Sequence, residues 1–348
     1  MKSLSIVVPA FNASSHIQQC LDSIVESGRL QDLDVIVIND GSVDDTESLI
    51  KPYLEKYPET FRLFNKENGG VGSAINLAIS EAKAPWFKVL DSDDRLIKDG
   101  FVNLLDDLPI LDEMKNRPEM IVTNFHYELN KKAEDETVKK ERVLADFTNV
   151  FLEPGISSWS RLKKFELEQI LSKHCIFYSM DLLRKVGLRL PEHINYVDHI
   201  FAYEPLPHVR RLYFFDEPVN IYQLGRGKQS CNMVVMQSRL KELLSMALEM
   251  FRRIRIDSVR PQRLQTYMYN HMAQVLATLL ILVSADEEGD VDASKKMEVI
   301  WAEFAKINPL ASKKLKKMPM MNAKRLIKAS RTYVHYNVYN LIGKVFIL

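Results

Sequence analysis

"LSIVVPAFNASSHIQQCLDSIVES", residues 4–27, decides the fold. Its opening, 4–11, is a β-branched apolar run that reads as a buried strand. In 14–27, Ile17, Leu21, Ile24 and Val25 recur at helical spacing, with Ser14 or Ser15 available as N-cap. The same alternation recurs downstream. "DVIVIND" (34–40) is a near-continuous apolar strand, and the helix over 44–57 opens with acidic residues that suit its dipole. "FRLFN" (61–65) is a short strand, 71–82 a helix and 86–90 a further strand.

Continuously apolar strands alternating with helices predict an α/β fold: a mostly parallel sheet with helices on both faces. Ligands of such sheets sit beyond the carboxyl ends of the strands. The residues there are Pro9–Asn12, Asp40–Ser42, Asn68–Gly70 and Asp91–Asp94.

From 119 onward the pattern changes. Residues 119–129 read as a strand, 131–142 as a charged hairpin or loop, and 173–187 as a strand running into a short helix. Residues 211–225 read as two short strands around a turn at Glu217-Pro218, and beyond about 235 the chain reads as helical. The longest apolar stretch, 272–285, is shorter than the roughly 20 residues a membrane span needs and contains Gln274 and Thr278, so it reads as a buried helix.

The 348 residues, 46% apolar and 27% charged, suit a soluble protein of two domains, or one domain with an appendage. A net charge of +1 argues against nucleic acid as a partner of the whole surface. Cys20, Cys175 and Cys231 form no CxxC pair, which argues against a cysteine zinc site and for reduced thiols in the cytoplasm. The N-terminus reads as the first strand rather than a signal peptide.

"FKVLDSDDRL", 87–96, crowds Asp91, Asp93 and Asp94 at the end of a strand. One acid there is explained by an Asp-rich turn, with Asp94 capping the following helix. Three repel one another unless a cation compensates them. Hard oxygen ligands at i and i+2 suit Mg²⁺ or Mn²⁺, which share their shell readily with a diphosphate. Asp40 resembles the ribose-binding acid of a dinucleotide domain, but the turn after the first strand, "PAFNAS", lacks the glycines that domain needs. Asp40 therefore recognises something else or makes an Asx-turn before Gly41. Gly69 and Gly70 in "ENGGVGSAIN" (67–76) would let the backbone approach a ligand.

"SIVVPAFN", "VIVINDGSVDDT", "ENGGVGSAIN" and "FKVLDSDD", in this order and spacing, closely resemble the family 2 glycosyltransferases. The resemblance covers roughly 3–230. It implies a GT-A fold, a Rossmann-like sheet with an α-helical C-terminal region, and inverting transfer from a nucleotide-sugar donor of the UDP type. It implies a transferase domain at 1–230, with a nucleotide-binding half at 1–105 and an acceptor-binding half at 106–230, then helices over 231–348.

Carried over by the resemblance, Pro9 and Phe11 lie against the nucleobase and Asp40 accepts from a uracil ring. Asn68, Gly69 and Ser92 line the nucleotide-sugar cleft. Asp91 lies near the ribose or the metal, and Asp93 is the principal metal ligand. The general base matches Asp198 in "INYVDHIF" (194–201), where Val197 replaces the glutamate usual in the family. Asp198 also reads simply as a helix N-terminal acid. The "QxxRW" of processive members is missing, and "YQLGRGKQS" (222–230) stands nearby. Its Arg226 and Lys228 either close over the diphosphate or form a solvated loop. Trp159 either stacks on an acceptor sugar or packs, and His199 carries no assignment.

Two rival functions remain at this point: a sugar nucleotidyltransferase, against which the turn after the first strand argues, and a degenerate domain kept for binding. The implied acceptor is a glycan or lipid-linked saccharide of cell-surface polysaccharide synthesis. Residues 308–348 contain no Asp or Glu. Lys324, Lys328 and Arg331 form a basic stripe beside apolar Ile327, Val334, Val338 and Leu341. That pattern fits either a helix at the anionic inner face of the membrane or a helix packed on the core.

Overall fold

The structure, a computed structural model, describes residues 2–132, 138–167, 169–224, 233–285 and 290–322. The alternation read from the sequence is present. In chain order β1 (Leu4–Ala10), α1 (Ile17–Val25), β2 (Leu33–Asp40), α2 (Thr46–Lys56), β3 (Phe61–Lys66), α3 (Gly70–Glu81) and β4 (Trp86–Val89) lead to the acidic stretch. There follow β5 (Arg95–Leu96), α4 (Lys98–Glu113), β6 (Met120–Lys132), β7 (Val138–Ala145), β8 (Gly155–Ser157), β9 (Ile176–Ser179) and α5 (Met180–Val186). Last come α6 (Asp198–Tyr203), β10 (Leu212–Leu224), α7 (Met233–Ser238), α8 (Leu240–Arg253), α9 (Gln262–Ala285), α10 (Asp290–Ile307) and α11 (Pro309–Lys316).

The strands join in the order β3-β2-β1-β4-β9-β6-β10-β5, with β7 on β6 and β8 on β10. β3, β2, β1 and β4 are parallel. Beyond β4 the sheet is mixed, because β9 runs antiparallel to both β4 and β6 while β10 runs parallel to β6. On one face Leu4, Ile6 and Val8 of β1 share a core with Ile17, Leu21 and Ile24 of α1, Ile50 of α2 and Phe101 and Leu104 of α4. Alternate residues face the other side, where α3 packs on β1 and β2.

Three local readings differ. α1 starts at Ile17 with His16 as its cap residue and no side-chain capping bond. The backbone N–H of Ser14 instead donates to Asp44. The Glu217-Pro218 "turn" is an irregularity within the single strand β10, whose register on β6 shifts on either side of Pro218. Proline has no N–H for the ladder, so the strand bulges there rather than reversing. The apolar run at 272–285 belongs to a longer helix, α9, of 24 residues. It is long and apolar enough to cross a membrane by composition, yet 89% of its most apolar window is buried within the protein.

The chain divides into two compact units. The first comprises residues 1–163, 171–193 and 208–224, and the second 164–170, 194–207 and 225–348. The whole sheet lies in the first. In the second, α9 is the core helix, and Leu264, Met268, Met272, Leu276 and Leu279 are fully buried along it. Phe251 of α8 meets Phe304 of α10 at a centroid distance of 5.0 Å.

Candidate active site

Parallel register brings the strand ends of the first unit to one edge. Ala10 lies beside Asn39, and Asp40 beside Lys66. Pro9 is half-buried within β1, and Phe11, directly after the strand, is 53% exposed. An apolar ring left this open at the carboxyl edge of the sheet is available for stacking.

Asp40 is buried, and its carboxylate is engaged by the chain itself. Oδ1 accepts from the Gly69 N–H at 2.9 Å and from Lys66 Nζ at 2.6 Å. Oδ2 accepts from the Gly70 N–H at 2.8 Å and from Asn68 Nδ2 at 3.3 Å. Asp40 thus holds the first turn of α3, where a carboxylate meets unpaired N–H groups and the positive end of the dipole. The chain packs closely on two of the glycines of this stretch. A Cβ on Gly69 would stand 2.7 Å from Ser73 Oγ, and one on Gly72 only 2.1 Å from the Pro191 carbonyl oxygen.

The three aspartates differ sharply. Asp94 is sealed from solvent and is not a helix cap, since α4 begins at Lys98 without a side-chain cap. Its carboxylate accepts from the Gln223 N–H at 3.1 Å and from Asn220 Nδ2 at 3.4 Å, and pairs with His174 Nδ1 at 2.9 Å. Asp91 is half-buried and pairs with Lys173 Nζ at 2.6 Å. Ser92 and Asp93 are half-buried beside it.

Among the described residues, ligand atoms of Asp91, Asp94 and His174 lie within 4.8 Å of one another. Asp93 stands outside that group. Two carboxylates and an imidazole form a donor set that a hard divalent cation accepts. Asp94 already accepts from Gln223 and Asn220 and pairs with His174, and Asp91 is paired with Lys173, so a cation entering this group would displace one of these partners.

Beneath the motif lies Lys88 of β4, fully buried, donating to the carbonyls of Lys173 at 2.5 Å and His174 at 3.0 Å. Burial pulls its ammonium down to about 8, against the opposing pull of Cys175, Asp94 and Asp91. The buried Cys20 thiol, 3.5 Å from the Asp91 carbonyl oxygen, is pushed well up by burial first and then by Asp94, Asp93 and Asp91. It is therefore a poor nucleophile.

In the second unit Asp198 is the first residue of α6 and half-buried. Next to it, His199 Nδ1 lies 3.1 Å from Nε2 of buried His271. Burial holds the His271 imidazole well below its ordinary range, reinforced by His199 and opposed by Asp198. Trp159 packs in the first unit. It is buried, and its Nε1–H donates to the Val209 carbonyl at 3.1 Å. Arg226, Lys228 and the stripe from Lys324 onward lie outside the described residues. Sequence reasoning missed His174 and Lys173, which carry no motif of their own.

The sequence model described as Glycosyl transferase family 2 matches residues 5–187, more than half of the chain. The chain belongs to glycosyl transferase family 2. Among curated relatives of this family 2 chain is the teichoic acid poly(glycerol phosphate) polymerase of Staphylococcus epidermidis, 28% identical over 61% of this chain. The chain spans 27% of that polymerase's length. Among solved structures, S. aureus TarS in complex with UDP-GlcNAc superposes with a TM-score of 0.61 at 16% identity, over 95% of this chain and 92% of that one. The mannosyltransferase PcManGT of Pyrobaculum calidifontis, in complex with GDP-Man and Mn²⁺, gives 0.54 at 16% identity, over 94% of this chain and 85% of that one. These two likenesses show the GT-A fold.

Proposed function

We propose that the chain is an inverting glycosyltransferase that moves a sugar from a nucleotide-sugar donor, of the UDP type, to an acceptor hydroxyl. The carrying observation is the gathering of Phe11, Asn68, Gly69, Asp91 and Asp93 at the carboxyl edge of a parallel sheet in a family 2 chain. The TarS complex supports the UDP donor, and the polymerase relative supports a cell-surface polymer as the setting. The acceptor is then a glycan or a lipid-linked saccharide.

In this reading Phe11 stacks on the base, and Asn68, Gly69 and Ser92 border the nucleotide. Asp91 and Asp93 would hold Mg²⁺ or Mn²⁺, and Mn²⁺ accompanies the donor in the PcManGT structure. Such an ion would supply charge neutralisation for the leaving nucleoside diphosphate. Asp198 takes the proton of the acceptor hydroxyl as its oxygen attacks the anomeric carbon. One displacement inverts the configuration. We place the protein in the cytoplasm, at the inner face of the membrane, with residues 308–348 as its contact.

The test is a panel of nucleotide sugars, scored for nucleotide release with and without Mn²⁺ and with candidate acceptors. Metal-stimulated release from one donor is expected. Donor binding without release from any donor would reduce the chain to a binding module. Release of pyrophosphate from a nucleoside triphosphate would make it a nucleotidyltransferase.

A further inference from the structure

The acidic motif already has a cation of its own. Lys173 Nζ lies 2.6 Å from Asp91, and its side chain is 11% exposed. Such a placement costs hydration and rotamer freedom, and it persists only where the surroundings fix it. They do so here. Lys88 clamps the carbonyls of Lys173 and His174, the His174 ring stacks on Tyr222 at 4.0 Å, and His174 is bound to Asp94. The backbone is anchored at both residues, so the ammonium of Lys173 is delivered to Asp91 rather than drifting there. A divalent cation entering at Asp91 meets a positive charge in direct contact with its ligand, and like charges at such range oppose each other strongly.

We infer that Lys173 is a resident counter-cation that competes with a divalent metal for Asp91 and supplies part of the positive charge facing the donor's diphosphate. The inference rests on the reading of this edge as a nucleotide-sugar site. It sets the metal requirement: Asp93 remains the metal's principal carboxylate, and nucleotide binding keeps a metal-independent share. Lysine suits this part because its ammonium is a compact charge on a flexible stem that can swing from carboxylate to phosphate.

The experiment measures Mn²⁺ alone by the spin resonance of free ion, and UDP by calorimetry in chelator and in Mn²⁺. It compares the full chain with Lys173→Met, Lys173→Gln and Lys173→Arg, with folding checked by circular dichroism. Removing the charge should tighten Mn²⁺ about tenfold and weaken UDP in chelator about tenfold, whereas arginine, which keeps the charge, should change neither by much. Unchanged or weaker Mn²⁺ binding in a folded Met or Gln variant overturns the inference. So does a wild-type protein that binds UDP in Mn²⁺ and not at all in chelator, a result that needs no variant. Absence of Mn²⁺ binding with UDP still bound removes the competition and leaves the transferase reading standing. Absence of UDP binding under both conditions removes that reading and the inference with it.

Discussion

Lys88 Nζ donates to the backbone carbonyl of His174 at 3.0 Å, across the antiparallel junction of β4 and β9. A fully buried ammonium thereby positions the two side chains, Lys173 and His174, that meet Asp91 and Asp94. Replacing Lys88 by Met keeps the volume and strands both carbonyls without a donor. Orphaned buried acceptors cost about 1–3 kcal/mol. The urea midpoint should fall accordingly, and UDP affinity should fall with it. A midpoint at or above wild type would show that shedding the buried charge outweighs the lost bonds.

Asp93 and Asp94 should separate under substitution. Asp93→Ala is expected to abolish the metal-dependent part of UDP affinity while leaving thermal stability near wild type. Asp94→Asn sets an amide N–H₂ against either the Gln223 N–H or the Asn220 amide and His174, and should cost about 1–3 kcal/mol of stability. Full activity of Asp93→Ala in chelator would remove that residue from metal binding.

Asp198→Asn keeps the shape of the first turn of α6 and removes basicity. Turnover should drop roughly 10²–10⁴-fold with donor affinity little changed. A matching loss of donor affinity would move Asp198 from proton transfer to nucleotide contact.

His271 makes stability acid-sensitive. Its folded-state affinity for a proton is held low by burial and by His199. The unfolded imidazole takes up a proton near about pH 6.5. The unfolded state therefore binds more protons below that pH, and stability falls as pH drops, by up to about 1.4 kcal/mol per pH unit for one proton. Above it the contribution is complete. His271→Gln, whose amide can donate to or accept from His199, should flatten this part of the curve in urea titrations. An unchanged acid slope would assign the sensitivity to other groups.

For the C-terminal region, co-sedimentation with anionic and neutral vesicles is the direct measurement. In α11 and just beyond it Lys313, Lys314, Lys316 and Lys317 are all exposed. Binding should be selective for anionic vesicles, weaken with salt and disappear on removing residues 308–348. Equal binding to neutral vesicles, or none to either, would favour a packing role.

The sheet's first half was legible because β1 to β4 are short apolar runs broken by helical spacing, a pattern that local sequence carries in full. The mixed half was less so. β10 reads as two strands because Pro218 looks like a turn residue, and only the partner strand β6 shows that the ladder resumes. Asp91 and Asp93 were legible as crowded charge. The sealed state of Asp94 was not, because its donor Gln223 lies 129 residues away. His174 and Lys173 stand singly in the sequence, and only the fold of β9 against β4 brings them to the motif. Gly69 was legible as a close approach, and within the chain Ser73 and Lys66 stand where its Cβ would be.

The seam between α3 and the segment after α5 carries a constraint of another kind. Asn76 Oδ1 accepts from the Leu190 N–H at 2.8 Å and its Nδ2 donates to the Leu190 carbonyl at 2.9 Å, while the His193 N–H donates to the Gly69 carbonyl at 2.6 Å. With no room for a Cβ at Gly72 against Pro191, these positions form a lock whose parts cannot drift separately. A side chain at 72, or one residue gained or lost between 190 and 193, breaks the fit unless the other side moves in compensation. In divergent relatives the two stretches are therefore expected to change together or not at all, and a chimera that joins one parent's helix to another's loop is expected to misfit at this seam.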